Sequence, residues 1–226
     1  MTVIEGPQVE ERARKSQGIS NDAILNMVTR ALRQRQVSGE CLVDVGCGAG
    51  NLHSHVCSRF SRYVGVDAVQ YEGFPAQAEF CRLDLDSGGI PLPDASADLV
   101  AAIEVIEHLE NPRDFMRKLV RLAKPGGWVV VTTPNQLSLL SLSTLMVKNR
   151  FQAFQDIHYP THLTALLEVD LRRIAAECGL SQIEIEYSCS GRIPLTVWHF
   201  PRLMSQLFPR ALSENILVIG KRKHSE

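Results

Sequence analysis

The sequence lacks the features that mark several large classes of protein. It contains no run approaching the roughly 18 apolar residues of a transmembrane helix. Its N-terminus has neither the basic segment nor the apolar core of a secretory signal. We therefore predict a cytoplasmic protein with no transmembrane segment. The sequence also has no excess of basic residues. It contains 24 Lys and Arg and 25 Asp and Glu, which gives a formal net charge of −1. This balance gives no general basic field for binding nucleic acid.

Paired cysteine motifs are absent as well. The six cysteines lie at positions 41, 47, 57, 81, 178 and 189, with no Cys-x-x-Cys pair. This scatter predicts reduced, mostly buried thiols and argues against disulfides or a zinc site built on cysteine. What is present is ordinary for a globular protein: 226 residues, 45% of them apolar. That is enough for one domain with a substantial core, or one domain with a cap.

The most informative stretch is the glycine-rich segment Val43 to Asn51, which reads Val-Asp-Val-Gly-Cys-Gly-Ala-Gly-Asn. It predicts a strand, a tight turn and a helix N-terminus. Glycines permit unusual backbone angles there and let a nucleotide-like ligand approach the main chain. The G-x-G-x-G spacing differs from the G-x-G-x-x-G of a dinucleotide site, and an ordinary strand-to-helix turn is the alternative. Cys47, inside the turn, is predicted to fill space rather than to act as a nucleophile.

Short apolar runs alternate with helical patterns along the rest of the chain. Predicted strands cover 41–45, 63–66, 78–83, 98–103, 128–133, 182–188 and 216–220, and predicted helices cover 22–35, 52–60, 105–122 and 168–178. Such alternation is typical of βαβ units with a parallel sheet. Asn21 is predicted to cap the first helix. The Lys-Pro-Gly-Gly segment at 124–127 is predicted to form a turn between a helix and a strand.

These patterns predict a Rossmann-like α/β fold with a mostly parallel seven-stranded sheet, helices on both faces and a cap. Residues 1–37 would form an N-terminal helical arm, whose charged part at 5–18 is predicted to be solvated. Residues 38–226 would form the ligand-binding domain, and insertions at 136–162 and 191–213 would form its cap.

Acidic residues follow three successive predicted strands. Asp67 ends one strand, and Asp84 and Glu104 follow the next two. Each alone is compatible with a solvated surface acid, but three at successive strand ends favour a binding site, since ligands of open α/β sheets lie outside the carboxyl ends of the strands. Asp67 occupies a position where an acid accepts hydrogen bonds from a ribose diol.

Together these motifs resemble the class I S-adenosylmethionine-dependent methyltransferases. The matching segments are Val43–Asn51, Val64–Asp67 (VGVD), Asp98–Pro112 (DLVAAIEVIEHLENP) and Leu122–Asn135 (LAKPGGWVVVTTPN). The resemblance spans roughly residues 38–190. It implies that the protein uses S-adenosyl-L-methionine, a cofactor without a pyrophosphate, which accounts for the missing dinucleotide spacing.

The resemblance also implies a set of cofactor contacts. The implied residues are Asp44, Gly46, Cys47, Gly48, Gly50, Asp67, Asp84, Leu85 and Glu104. The acid and glycines of the turn would line the methionine and ribose part of the cofactor. Asp67 would hold the ribose hydroxyls, and Asp84 with the backbone of Leu85 would meet the adenine.

Glu104, Glu107 and His108 form an E-x-x-E-H pattern that would share one face of a helix. This pattern resembles two metal-using branches, the ubiquinone-biosynthesis O-methyltransferases and the small-RNA 3′-terminal 2′-O-methyltransferases. A downstream histidine, His158 or His162, would complete the set in the RNA branch. Glu104, Glu107, His108 and His162 are therefore candidate ligands of Mg²⁺ or another divalent metal. The alternatives are His108 as a metal-free general base and a purely structural segment.

The two insertions define the expected substrate side. Their leucines and aromatics predict either a cap packed on the domain or an apolar lid for a lipid-like or aromatic acceptor, with peripheral membrane contact. We predict O-methylation of a small or lipophilic hydroxylated acceptor, and no nucleic-acid partner. The alternatives are a metal-dependent RNA 3′-terminal 2′-O-methyltransferase, a nicotinamide-dependent Rossmann enzyme and a non-catalytic methyltransferase-like subunit.

Overall fold

The computed structural model describes residue 18, residues 20–86 and residues 88–224. Apart from residue 18, the predicted charged arm at 5–18 lies outside these residues. The six cysteines are all described and all free, and only two of them, Cys41 and Cys47, are buried. The prediction of unpaired thiols is confirmed, whereas the prediction that most are buried is wrong.

Seven strands form one sheet in the order β3-β2-β1-β4-β5-β7-β6. Their bounds are β1 Gly39–Val45, β2 Phe60–Asp67, β3 Glu79–Arg82, β4 Ala97–Ile103, β5 Ala123–Pro134, β6 Leu180–Tyr187 and β7 Asn215–Arg222. Strands β1 to β5 pair in parallel, and β7 runs antiparallel to both of its neighbours. The predicted Rossmann-like fold with a mostly parallel seven-stranded sheet is confirmed.

Helices cover both faces of this sheet. Within the described residues the α-helices are α1 Asp22–Gln34, α2 Asn51–Val56, α3 Pro112–Leu122, α4 Leu139–Lys148, α5 Glu168–Glu177 and α6 Arg202–Leu207. Short 3₁₀ turns lie at Ile106–His108, Gln152–Phe154 and Asp156–His158. Helices α4 and α6 lie within the two predicted insertions. No helix in the part of the chain that the structure describes is long and apolar enough to cross a membrane.

Helix α1 forms where the sequence places an amphipathic pattern behind a capping residue. The Asn21 side chain accepts a hydrogen bond from the Ile24 backbone N–H at 3.1 Å, which confirms the predicted cap. Val28 and Leu32, on the apolar face, are fully buried in one core cluster with Leu42 of β1. Burial of side chains of this size contributes roughly 1.5–3 kcal/mol each to folding.

The central strands are apolar on both faces because helices cover both. On one face, Val43 of β1 belongs to a core cluster with Phe115 of α3 and Leu171 of α5. On the other face, Leu42 and Leu99 belong to the cluster that includes α1. This double burial explains why the strand predicted at 41–45 is an almost continuous apolar run.

The helix predicted at 105–122 is wrong in its first turns. The chain forms a 3₁₀ turn at Ile106–His108, and α3 begins only at Pro112. The Asn111 side chain accepts from the Asp114 backbone N–H at 3.0 Å, and Pro112 occupies the first turn, where an absent N–H costs nothing. The Asn-Pro pair therefore sets the start of the helix.

The turn predicted at 124–127 is also wrong, because these residues belong to β5. The pairing of β4 with β5 shifts register between Ala97 and Leu99, so the segment forms an irregularity inside the strand rather than a break. Gly126 has a φ of +77°, a backbone angle that glycine adopts without strain. The helix predicted at 52–60 is shorter than expected and ends at Val56.

The strand order fixes where a ligand can bind. From β1 the chain first goes to β2 on one side and later returns at β4 on the other side. The segments that leave the carboxyl ends of β1 and β4 therefore diverge, and the crevice between them is the usual ligand site of such sheets. Gly46 follows β1 and Glu104 follows β4, so both border this crevice.

Candidate active site

A cavity of about 930 Å³ lies at these strand ends, within the size range of small-molecule sites. The predicted cofactor residues that line it are Asp44, Gly46, Cys47, Gly48, Asp67, Asp84, Leu85 and Glu104. Gly50 does not line it. That glycine caps α2, and a Cβ at its position would lie 2.6 Å from Pro75.

The glycine turn is closed by Gly18, which precedes α1 in the chain. The Ala49 backbone N–H donates to the carbonyl oxygen of Gly18 at 3.1 Å. A Cβ on Gly48, whose φ is +51°, would lie only 2.2 Å from the same carbonyl oxygen. The cavity is lined by both glycines, so the absent side chain at Gly48 allows the two segments to meet at its wall.

Asp44 is buried at the wall of the cavity with one unsatisfied oxygen. Tyr63 donates its hydroxyl hydrogen to Oδ2, whereas Oδ1 has no hydrogen-bond partner. Burial raises the pKa of Asp44 to about 7, against the opposing effect of the Tyr63 hydrogen bond. A buried carboxylate oxygen without a partner is costly unless a cation or a donor meets it. This oxygen therefore fits a positively charged ligand group.

Asp67 ties β2 to the glycine turn. Its Oδ2 accepts from the Gly48 backbone N–H at 2.8 Å, and its Oδ1 accepts from the Val69 backbone N–H at 3.3 Å. Burial raises the pKa of Asp67, and the backbone hydrogen bonds oppose that shift. A carboxylate offers about four acceptor positions, so the two oxygens retain capacity for ligand hydroxyls.

Asp84 and Leu85 lie on the cavity wall beyond β3. Asp84 accepts from the Asp86 backbone N–H at 3.0 Å. The Leu85 carbonyl oxygen accepts from Lys118 Nζ at 3.1 Å. That carbonyl is therefore held by α3, and the Leu85 side chain packs against the core cluster that includes Val43 and Phe115.

Glu104 is held in a strained conformation at the end of β4. Its φ is +56°, a value that non-glycine residues adopt at a cost and that clusters at functional sites. Thr132 donates to Oε1 at 2.8 Å, and Asn215 donates to Oε2 at 2.9 Å. Burial, reinforced by the nearby Glu107, raises the pKa of Glu104 well above its ordinary value. Both oxygens of Glu104 are therefore fixed by the protein.

Glu107 is 1% exposed and differs from Glu104 in its partners. Thr133 donates to Glu107 Oε2 at 3.1 Å, but Oε1 is buried without a hydrogen-bond partner. Burial raises the pKa of this carboxyl group. Its oxygen Oε1 lies 3.9 Å from Nε2 of His108.

The first insertion brings a second histidine to this position. The backbone N–H groups of Leu163 and Thr164 donate to the Glu107 carbonyl oxygen at 2.8 and 3.0 Å. These bonds hold His162 beside His108, with ring centroids 4.7 Å apart. The contact joins residues that are 54 positions apart in the sequence.

Backbone carbonyls orient both rings. Nδ1 of His108 lies 2.8 Å from the Thr161 carbonyl oxygen, and Nδ1 of His162 lies 2.6 Å from that of Ala153. A carbonyl oxygen only accepts, so Nδ1 carries the hydrogen in each ring and Nε2 of the neutral ring has the lone pair. Burial, with a smaller effect of His108, lowers the pKa of His162 to about 4, so that ring is neutral at pH 7.

Three side chains thus offer ligand atoms at one place. Atoms of Glu107, His108 and His162 all lie within 4.8 Å of one another. Glu104 is not a member of this group, although the sequence pattern predicts it on the same helix face as Glu107, because a 3₁₀ turn forms at Ile106–His108 in place of an α-helix. His158 stacks on His162 with centroids 5.4 Å apart but is also outside the group.

The sequence motifs do not include the residues that position these groups. Thr132, Thr133 and Asn215 bind the two glutamates, and Tyr63 binds Asp44. Two of them are threonines at the end of β5, where polar residues inside an apolar strand are a usable signal. Asn215 follows the second insertion and carries no such local signal.

The sheet order, the glycine turn and the strand-end acids around one cavity define a Rossmann-like ligand-binding domain of the class I methyltransferase type. A family model described as "Methyltransferase domain" matches residues 19–185. The chain therefore belongs to the methyltransferase-domain family, and the predicted relationship to the class I S-adenosylmethionine-dependent methyltransferases is confirmed.

Individual relatives agree with this family. The chain is 32% identical over 138 residues to a mitochondrial ubiquinone biosynthesis O-methyltransferase of Schizosaccharomyces pombe, covering 56% of this chain and 50% of that protein. It is 27% identical to a ubiquinone biosynthesis O-methyltransferase of Burkholderia pseudomallei, covering 66% and 67%. Among the first curated relatives the chain spans between 40% and 67% of their own length. A solved SAM-dependent methyltransferase of Archaeoglobus fulgidus shares the fold, with a TM-score of 0.63, 19% identity and coverage of 88% and 94%.

We expect Gly48→Ala to weaken the binding of S-adenosylhomocysteine at least about tenfold, because the new Cβ displaces the carbonyl of Gly18 from the cavity wall. Isothermal titration calorimetry would measure the affinity. The matched control is Gly73→Ala, since Gly73 also has a positive φ, +95°, but has open space around it and lies outside the cavity lining. Equal losses in the two variants would contradict the role of the Gly18 contact.

Proposed function

We propose that the protein transfers a methyl group from S-adenosyl-L-methionine to a hydroxyl oxygen of a small or lipophilic acceptor. Membership of the methyltransferase-domain family supports the cofactor. Two ubiquinone biosynthesis O-methyltransferases among the relatives support oxygen as the methyl acceptor. The cavity, at about 930 Å³, has room for a cofactor and part of an acceptor.

The cofactor half of the cavity suits a cationic nucleoside. The unsatisfied Oδ1 of Asp44 would receive the positively charged methionine end of the cofactor, which also removes the cost of burying that oxygen. Asp67, fixed by two backbone N–H groups, would accept the ribose hydroxyls. Gly46 and Gly48 would let the ligand approach the backbone between them.

The observation that carries the acceptor half of the proposal is the buried, unpartnered Oε1 of Glu107 beside two histidines. Both histidine rings are oriented through Nδ1 by backbone carbonyls, the arrangement that usually fixes metal-binding histidines. We propose that Glu107, His108 and His162 hold a divalent cation of the Mn²⁺, Fe²⁺, Zn²⁺ or Mg²⁺ type. Glu104, with both oxygens bound by the protein, would position this group without joining it.

A bound cation would lower the pKa of a hydroxyl that coordinates it and so help to form the attacking oxygen. The protein's own contribution is mainly positional. The turn 106–108 and the segment 161–164 place the group at the wall of the cofactor cavity. Correct placement of a nucleophile along the axis of the breaking bond is worth roughly 7–11 kcal/mol. An acceptor with two adjacent oxygens, such as a catechol or a terminal ribose, fits a cation best.

Metal titration into protein saturated with S-adenosylhomocysteine tests this proposal. We expect one site per chain for at least one of Mn²⁺, Zn²⁺, Fe²⁺ and Mg²⁺, and we expect Glu107→Gln to abolish it, because the amide removes the only anionic ligand. Calorimetry under anaerobic conditions gives the stoichiometry.

The matched control is Glu110→Gln, since Glu110 is exposed and three residues away. The metal assignment would be refuted by normal binding of S-adenosylhomocysteine with no metal site. That outcome would leave His108 as the base and extend the acceptor search to single hydroxyl, carboxyl and amine groups.

A further inference from the structure

We propose that the two insertions form a surface that docks on membranes containing anionic lipids. Among the described residues, every exposed large hydrophobic side chain except Val169 lies in the insertions 136–162 and 191–213. We call this set the apolar cap: Leu139, Leu142, Met146, Val147, Ile157, Tyr159, Leu195, Val197, Trp198, Leu203, Met204, Leu207 and Phe208. Such a concentration of exposed apolar residues in two segments marks an interaction surface.

Helix α6 and the residue that follows it expose apolar side chains and bury a polar one, the opposite of an ordinary surface helix. Leu207 and Phe208 are 67% and 62% exposed, and Leu203 and Met204 one turn earlier are exposed as well. The residue buried beneath them is Ser205, at 0% exposure. A surface helix normally buries its apolar stripe, so the outward stripe of α6, which none of the described residues covers, indicates an interaction surface.

Helix α4 also exposes apolar side chains and buries a polar one. Its only buried residue is Ser141, whereas Leu139, Leu142 and Met146 are exposed, the last at 88%. The spacing i, i+3, i+7 places these three side chains on one face of the helix. The Leu139 backbone N–H donates to the Ala211 carbonyl oxygen at 2.7 Å, so the start of α4 adjoins the end of the second insertion.

The charge of the two insertions identifies the partner. They contain five basic residues, all exposed, and a single acid, Asp156, whereas the rest of the chain contains 19 Lys and Arg against 24 Asp and Glu. The basic residues are Lys148, Arg150, Arg192, Arg202 and Arg210. Arg150 pairs with Asp156 at 3.2 Å, and Arg192 pairs with Glu214, just beyond the second insertion, at 2.9 Å, which leaves Lys148, Arg202 and Arg210 as the cations without an acidic partner among the ion pairs of the described residues. Apolar residues flanked by Lys and Arg are the pattern of segments that insert at anionic lipid headgroups.

Trp198 is 73% exposed within this surface. Tryptophan is enriched where an apolar phase meets water, since its ring is apolar and its N–H is polar. A second copy of the chain is disfavoured as the occupant, because two cationic surfaces would face each other. RNA would complement the positive charge of the insertions, but it would leave most of the exposed aliphatic side chains in contact with water.

The docking surface adjoins the cavity of the proposed active site. Ile157 and Tyr159 of the apolar cap also line that cavity, together with Arg192, which is ion-paired with Glu214. A docked protein would therefore present its cavity to the headgroup region, where a lipophilic acceptor resides. This link to acceptor supply rests on the proposed function, whereas docking itself does not.

Vesicle binding, followed through tryptophan fluorescence of a Trp128→Phe background and by cosedimentation, tests the proposal. We expect the protein to bind vesicles of roughly 70% phosphatidylcholine and 30% phosphatidylglycerol, with a blue shift of the emission, and to bind pure phosphatidylcholine at least about tenfold more weakly. Leu207→Ser with Phe208→Ser should weaken binding to both vesicles at least about tenfold. Arg202→Gln with Arg210→Gln should remove most of the preference for the anionic vesicles.

Matched controls are Val169→Ser, an exposed apolar residue outside the apolar cap, and Arg117→Gln, an exposed cation on α3. Both should bind vesicles like the wild type. Unchanged affinity for S-adenosylhomocysteine shows that each variant is folded and tests the cofactor site separately. The proposal is overturned by either of two results: no vesicle binding, or equal losses in the controls. In the first case, self-association or poly(U) binding that the paired Leu207 and Phe208 changes abolish would assign the surface to a second copy of the chain or to RNA.

Discussion

Asp67→Ala is expected to reduce the affinity for S-adenosylhomocysteine by about 100-fold. In the proposed complex this carboxylate accepts two hydrogen bonds from the ribose, and each hydrogen bond to a charged group is worth about 1.5–3 kcal/mol. A combined loss near 3 kcal/mol corresponds to roughly two orders of magnitude in the dissociation constant. Isothermal titration calorimetry at one fixed pH gives the ratio directly.

The substitution also removes the acceptor of the Gly48 and Val69 backbone N–H groups. Asp67→Asn keeps one acceptor oxygen and should therefore lie between the wild type and Asp67→Ala. Glu79→Ala serves as the control for loss of a carboxylate, since Glu79 is exposed on β3 and pairs with Arg62 outside the cavity. An unchanged affinity of a folded Asp67→Ala variant would contradict the assigned ribose contact.

His108→Ala is expected to lower methyl transfer by about 10³-fold while changing the affinity for S-adenosylhomocysteine less than about threefold. The imidazole belongs to the proposed acceptor group with Glu107 and His162, so its loss affects the attacking oxygen and leaves the cofactor contacts in place. The assay measures S-adenosylhomocysteine release with catechol-type and ribose-diol acceptors.

His55→Ala is the matched control, because His55 is an exposed histidine of α2 outside the cavity lining. Its turnover should equal that of the wild type. Retained turnover in His108→Ala, with the same acceptor, would remove His108 from the chemistry. A parallel loss of cofactor affinity would instead show that the ring supports the whole cavity.

The cofactor side of the fold is readable from the sequence because its signals are local. Cys41 to Val45 is buried on both faces and apolar except for Asp44, and the glycines of the turn follow immediately, so strand and turn are specified by adjacent residues. Asp67 ends β2, and Asp84 and Glu104 lie just beyond β3 and β4, where parallel strands place their carboxyl ends on one edge. Their arrangement around a cavity follows from sheet order rather than from long loops.

The conformation of the segment from Glu104 to His108 is not predictable from its pattern, because tertiary contacts decide it. The E-x-x-E-H spacing favoured a helix, but the positive φ of Glu104 and the 3₁₀ turn after it point Glu104 and Glu107 at different partners. No pattern in the sequence distinguishes His162 from His158. The choice is made by two backbone hydrogen bonds to the Glu107 carbonyl oxygen, which hold the segment after His162.

The exposure of the side chains in the insertions is also not predictable from the sequence. Their leucines and aromatics are compatible with either a packed cap or an exposed surface, and the amphipathic spacing of α6 alone suggests packing. Which side of the helix faces the protein depends on Ser205, whose burial only the structure reveals. Phe200, one of the aromatics of that segment, is only half-exposed, with its backbone N–H bonded to the Gly191 carbonyl oxygen.

The most direct test of the central claim is a calorimetric titration of S-adenosylhomocysteine into the wild-type protein, with NAD⁺ titrated under the same conditions. The cavity and the family predict one saturable site per chain for S-adenosylhomocysteine and no binding of NAD⁺, because the G-x-G-x-G turn does not match a pyrophosphate site. Binding of NAD⁺ in place of S-adenosylhomocysteine, or binding of neither by folded protein, would contradict a methyltransferase that uses S-adenosyl-L-methionine.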